Sequence, residues 1–250
     1  MAFNDPFATA QNSAQSRAVE MDAGLRSYML KIYNYMASAL ALTGIVALFT
    51  ANNNAMLQLL YKVNEDGQVV GQSGLGMIVM FAPLIMVFVM GMGQNRMSMT
   101  ALQGCFWGFA TLMGLSLSSV FLMYTGTSIA RVFFITAATF GGMSLYGYTT
   151  KKDLSGFGSF LMMGLIGLIL ASIVNIFLQS SALQFATSVI GVLIFVGLTA
   201  YDTQKLKAMY YQLAGSTEAM ARASIMGALS LYMDFINIFL YMLRFFGDRR

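Results

Sequence analysis

The chain has 250 residues, 58% of them hydrophobic and only 10% charged, where a soluble domain carries about 25% charged residues. A formal charge of +4, with no histidine and no basic patch beside a reading element, gives no basis for a nucleic-acid partner. The single cysteine, Cys105, excludes an intramolecular disulfide, and any response to pH near neutrality must fall on carboxylates rather than imidazole.

Residues 1–25 are polar, rich in Ala, Gln, Asn and Ser, and are expected to form a flexible tail, leaving 26–250 as a transmembrane domain. The first apolar run begins near Leu30, behind Glu20 and Asp22, which fits an uncleaved helix better than a secretory signal. Seven apolar spans follow, at about 30–51, 76–93, 101–124, 131–149, 157–178, 183–203 and 225–246. Each is close to the roughly 20 residues a helix needs to cross a bilayer, so the fold class is an all-α membrane protein, a seven-transmembrane-helix bundle. Pro83 predicts a kink or an irregular turn in the second span. Residues 52–75 read as a polar loop with Asn52, Asn53, Asn54, Glu65 and Asp66, and 204–224 as an interfacial helix–turn carrying Lys205, Lys207, Glu218 and Arg222. Gly104 and Gly108, four apart, fit close helix packing, and the single amides Gln103 and Asn175 fit contacts between helices. The 22 methionines are scattered rather than clustered, which suits core filling and not a soft-metal site.

Basic residues set the expected orientation. With a cytoplasmic N terminus, Arg17, Arg26, Lys31, Arg96, Lys151, Lys152, Lys205, Lys207 and Arg222 lie inside, against Lys62 and Arg131 outside. Arg244, Arg249 and Arg250 would then lie outside if the seventh span crosses fully, or inside if it is re-entrant; a full crossing is expected.

Asp202 and Asp234 are the only acidic residues inside the apolar spans, in the sixth and seventh. A charged side chain at the bilayer centre costs roughly 2.5–3.5 kcal/mol on insertion scales, so such groups face a partner, a cavity or a pathway. Two close carboxylates cannot both ionise easily, and their titration belongs to the pair. That arrangement would serve as a shared proton or cation site. The bland alternative is that each Asp bonds a neighbouring helix, with Ser230, Asn237 or Thr203 as partner. An intramembrane aspartyl protease also pairs two helical aspartates, but its second Asp follows a Gly-x-Gly stretch; here Leu231, Tyr232 and Met233 precede Asp234. No enzyme activity is expected. Arg96 is either a counter-charge reaching Asp202 or a topological anchor.

Three stretches carry a family resemblance: Tyr146-Gly147-Tyr148-Thr149-Thr150-Lys151-Lys152-Asp153-Leu154-Ser155-Gly156, Tyr201-Asp202-Thr203-Gln204, and Ala228 to Leu240, with Tyr232-Met233-Asp234-Phe235 at its centre. The chain resembles the transmembrane Bax inhibitor motif family (Bax inhibitor-1-like) in its bacterial form, over roughly residues 25–247. The resemblance implies a bundle with the last helix central and wrapped by the other six. It also implies a pH-sensitive calcium leak channel, with Asp202 and Asp234 as proton sensor and gate and Arg96 as exchangeable partner. Calcium would be the permeant ion, held weakly by Asp202 and Asp234 with backbone and water oxygens, and no cofactor is expected; lipid, calcium, protons and membrane proteins such as a membrane-bound protease are the expected partners, in a bacterial inner membrane. A non-transporting regulator of stress tolerance or of a membrane-bound protease, and a proton-coupled solute transporter, remain the alternatives.

Overall fold

In a computed structural model the described residues are 6–64, 69–213 and 215–249, with side chains described from Met21 onward apart from Val63 and Val69. The chain order is α1 (Pro6–Ala51), α2 (Asn54–Leu60), β1 (Tyr61–Val63), β2 (Val69–Gln72), α3 (Gly74–Gly93), α4 (Met99–Met123), α5 (Gly126–Thr149), α6 (Ser155–Leu178), α7 (Ser181–Gln212) and α8 (Thr217–Phe246). Among the described residues seven helices, α1 and α3 to α8, are long and apolar enough to cross a membrane. The helix starts are written into the sequence. Ser73, Ser98, Thr125, Ser180 and Ser216 each accept a hydrogen bond from the backbone N–H three residues on, satisfying a donor that the helix itself leaves open.

Several expectations change. α1 continues N-terminally through the segment read as a tail, and burial of its described side chains begins at Leu25. The 52–75 segment is not only loop: α2 leads into a hairpin pairing Tyr61 with Gln72 and Lys62 with Gly71, while Glu65 and Asp66 lie outside the described residues. The Tyr61 hydroxyl meets the Ser118 hydroxyl at 2.9 Å and fixes the hairpin against α4. The interfacial helix–turn expected over 204–224 is instead the end of α7 and the start of α8, joined across 213–216. Its charged residues lower the hydropathy without ending either helix. α3 runs unbroken through Pro83, a position membrane helices tolerate when local geometry takes up the missing hydrogen bond.

Gly104 has open space where a Cβ would stand, and Gly108 meets only Met86 at 3.7 Å, so that pair is not a packing seam. Close approach occurs elsewhere. A Cβ on Gly147 would lie 2.2 Å from the Ala200 carbonyl oxygen, so α5 and α7 touch backbone to backbone there.

The seven helices differ sharply in burial. In α8, 72% of the most apolar stretch is buried, against 44% in α7, 17% in α3 and 11% in α6. α8 packs on α1, α4, α5 and α7, whereas α3 packs mainly on α4 and α6 on α7. Tyr232, fully buried, reaches the Thr43 hydroxyl at 2.8 Å; Thr43 donates its proton to the Ala110 carbonyl, so the tyrosine is the donor and α8 is tied to α1 and α4 at one point. At 30 residues α8 is about 45 Å long, more than a hydrocarbon core requires. Its far end is pinned beside the α4–α5 turn, where Thr125 N–H donates to the Asp248 carbonyl and Asp248 N–H to the Ser128 hydroxyl. α8 therefore traverses the bundle, and the re-entrant alternative is not what forms.

Candidate functional site

Asp202 sits in the later half of α7 and Asp234 in the middle of α8. The two helices run antiparallel and pack side by side, which brings these residues to one seam. The Ser230 hydroxyl of α8 donates to Asp202 Oδ2. Ser230 lies four residues before Asp234, one helical turn along the same face, so Asp202 is anchored a single turn from the second acid. The two carboxyl groups therefore share the α7–α8 seam.

Their surroundings differ. Asp202 is half-buried and also feels the Lys205 ammonium three positions on. Asp234 is only 4% exposed, and its Oδ2 has no hydrogen-bond partner among the described residues. Leaving a buried acceptor unmet costs roughly 1–3 kcal/mol, and more for a charged group. Of the three partners the sequence offered, only Ser230 reaches an aspartate. Asn237 donates to the Met233 carbonyl of its own helix, and Thr203 donates to the Thr199 carbonyl.

Thr203 instead ends a chain of hydroxyls that joins three helices. Its proton is committed to Thr199, so Ser144 of α5 donates to Thr203 at 3.0 Å and Tyr33 of α1 donates to Ser144 at 2.6 Å. A cavity of about 430 Å³ between α1 and α5 borders this chain, with Tyr33, Phe140, Ser144, Tyr148 and Arg26 in its wall. The hydroxyls hold α7 in register beside Asp202. No sequence signal singled out Tyr33 or Ser144.

Arg96 does not join the acids. It is exposed in the α3–α4 turn, and its side chain forms no ion pair or hydrogen bond among the described residues. The arginine that works at this turn is Arg222, near the start of α8. It donates to the Gln94 carbonyl at 2.6 Å and the Met97 carbonyl at 2.7 Å, and is held by Glu218 at 2.8 Å. Glu218 and Arg222 are four apart, a spacing visible in the sequence that marks a stabilised first turn. Gln103 donates to Tyr35 of α1, as its placement in a span predicts, but Asn175 caps its own helix by accepting from Ser180 N–H.

As a metal site the seam offers two carboxylates and one hydroxyl, and no group of three or more His, Cys, Asp or Glu occurs among the described residues. Calcium takes six to eight oxygens, so most ligands would have to be water or backbone carbonyls. Such a site would bind weakly.

A family model described as inhibitor of apoptosis-promoting Bax1 matches residues 25–250. An uncharacterized protein of Rickettsia prowazekii is 53% identical over 235 residues, covering 94% of this chain and 95% of that one. A protein of Caulobacter vibrioides, also uncharacterized, is 51% identical over 232 residues, 93% and 92% of the two chains. The Escherichia coli protein named inner membrane protein YbhL is 47% identical over 235 residues, 93% of this chain and 96% of its own.

Proposed function

For a chain that belongs to the Bax inhibitor-1 family and is an integral multi-pass membrane protein, we propose that the Asp202–Ser230–Asp234 cluster is the proton-responsive gate of a calcium leak pathway. The observation that carries the reading is the buried, unpartnered Oδ2 of Asp234 beside a second carboxylate that is already hydrogen-bonded. An unmatched charge at such a position is costly, so a proton or a cation must neutralise it. Proton and calcium then compete for the same oxygens, and flux depends on pH. Weak binding by few protein oxygens suits conduction, where an ion must leave as readily as it enters. No covalent step is required, so the protein acts without catalysis.

We also propose that the N terminus lies on the cytoplasmic side of a bacterial inner membrane, because the α3–α4 and α5–α6 turns carry Arg96, Lys151 and Lys152, and Arg222 near the start of α8 lies at the same end of the bundle. The functional reading is tested by calcium entry into liposomes holding the purified chain, measured from pH 5 to 8. Wild type should conduct with a pH-dependent rate, and Asp234→Asn should conduct at a rate that pH does not change. Liposomes as tight to calcium with the protein as without it, at every pH, would remove the channel reading and leave a non-transporting regulator.

A further inference from the structure

A second site lies at the end of the bundle where α5 meets α6 and α7 leaves it. A cavity of about 520 Å³ there is lined by Lys151, Lys152, Asp153, Ser155, Tyr201 and Lys205, among others. Three lysines and one aspartate line it; the Lys205 ammonium also lies over the Tyr201 ring at 6.0 Å, and none of the three lysines forms an ion pair among the described residues. The carboxylate is occupied: Asp153 Oδ1 accepts from the Ser155 N–H at 2.9 Å, and the hydroxyl and N–H of Ser155 hold its carboxyl below the usual range.

Lysines flanking a span are ordinary topological anchors, so charge alone would say little. Here the loop that carries two of them is fastened. Gln204 spends both ends of its side-chain amide on it, donating to the Lys152 carbonyl at 2.7 Å and accepting from the Leu154 N–H at 2.8 Å. Gln204 is the neighbour of Lys205, so this clasp sets Lys151 and Lys152 beside the third lysine. The wall is built as well: a Cβ on Gly158 would lie 2.4 Å from the Tyr201 ring, so the missing side chain lets that ring lie against the backbone of α6.

We propose that this pocket binds the phosphate headgroup of an anionic membrane lipid. A phosphate diester offers acceptor oxygens to converging ammonium groups, and basic pockets among membrane helices recognise such headgroups. The source is a lipid rather than a soluble phosphate because the apolar flank continues the site: Phe157 and Phe160, in the first two turns of α6 beyond the pocket, are 47% and 62% exposed and lie where acyl chains would run.

The test uses the full-length chain purified in detergent, with bound lipid counted by native mass spectrometry. The probes are phosphatidylglycerol, phosphatidylcholine of the same chain length, and inorganic phosphate. Wild type should retain phosphatidylglycerol over phosphatidylcholine, with millimolar phosphate failing to displace it. Replacing Lys151, Lys152 and Lys205 together by Gln should weaken phosphatidylglycerol binding roughly a hundredfold, the effect of about one surface charge's attraction per lysine. Arginine at the same three positions should restore it. Gln204→Ala keeps every charge and should still weaken binding, because the loop is unclasped. Arg26→Gln with Lys31→Gln, at a separate basic groove beside α1, should leave binding unchanged. Equal losses in that control and in the triple variant, or full retention in the triple variant, would overturn the site. Displacement by inorganic phosphate would overturn the lipid as its occupant.

Discussion

α8 and α6 are both apolar helices of membrane-spanning length, yet 72% of the most apolar stretch of one is buried and 11% of the other. The buried helix carries the polar residues. Ser230, Tyr232 and Asp234 lie on α8, facing Asp202 of α7 and Thr43 of α1, while α6 presents Phe160, Met163, Ile166, Ile176 and Phe177 outward. In lipid, helices gain little from hiding apolar surface from one another, so inner and outer helices are told apart by small residues and hydrogen bonds. Mean hydropathy therefore does not report burial: the two most apolar helices, α6 and α3, are the least buried, while α7, third in hydropathy, is second in burial.

Substitutions along the inner seam should accordingly cost far more than those on the outer helices. The largest effect is expected at Gly147→Val. Its Cβ would fall 2.2 Å from a backbone oxygen that cannot rotate away, so α5 and α7 must separate at a cost of about 3 kcal/mol, readable as a drop in unfolding temperature in detergent. Next, Arg222→Ala strips two carbonyls of a charged donor and should cost about 2 kcal/mol, whereas Arg96→Ala, in the same turn, should stay within about 0.5 kcal/mol. Equal losses at the two arginines would mean that the turn responds to charge and not to the bonds described. Tyr232→Phe removes one interhelical hydroxyl and should cost about 1 kcal/mol, near the range measured for such bonds in membranes. On the outer face, Ile176→Leu should change stability by less than about 0.5 kcal/mol.

The smallest effect concerns acid pH. Asp153 is exposed and its carboxyl is held below the usual range by Ser155, so the stabilisation from the bond it accepts from Ser155 N–H is complete above the ordinary Asp value, about 3.9, and fades as pH falls through its lowered value. Asp153→Asn should therefore leave unfolding temperature at pH 7 almost unchanged and flatten any loss seen only in strong acid.

Much of this is legible in the sequence. Apolar length alone places all seven helices to within a few residues at most ends, and the serines and threonines at 73, 98, 125, 180 and 216 mark where five of them begin. Charge misleads at 204–224, because Lys205, Lys207, Glu218 and Arg222 decorate helices that project past the apolar layer instead of breaking them. The hairpin escapes because strands of three and four residues carry no periodicity to read. At the site, Asp202 and Asp234 stand out through the cost of burying acids, and Ser230 was among three candidate partners. Choosing among them needs the rotation of α7 against α8, which no local pattern encodes. The same is true of Arg222 and Arg96, two arginines whose roles depend on which one the α3–α4 turn folds against.

Whether Asp202 and Asp234 act as one unit is decided by a double-mutant cycle on calcium flux. Flux into liposomes is measured between pH 5 and 8 for Asp202→Asn, Asp234→Asn and the double variant. A shared proton predicts that either single change flattens the pH profile and that the second adds almost nothing, the non-additivity of residues in one network. Two partial losses of pH dependence that sum in the double variant would show that the carboxylates titrate apart and share no proton.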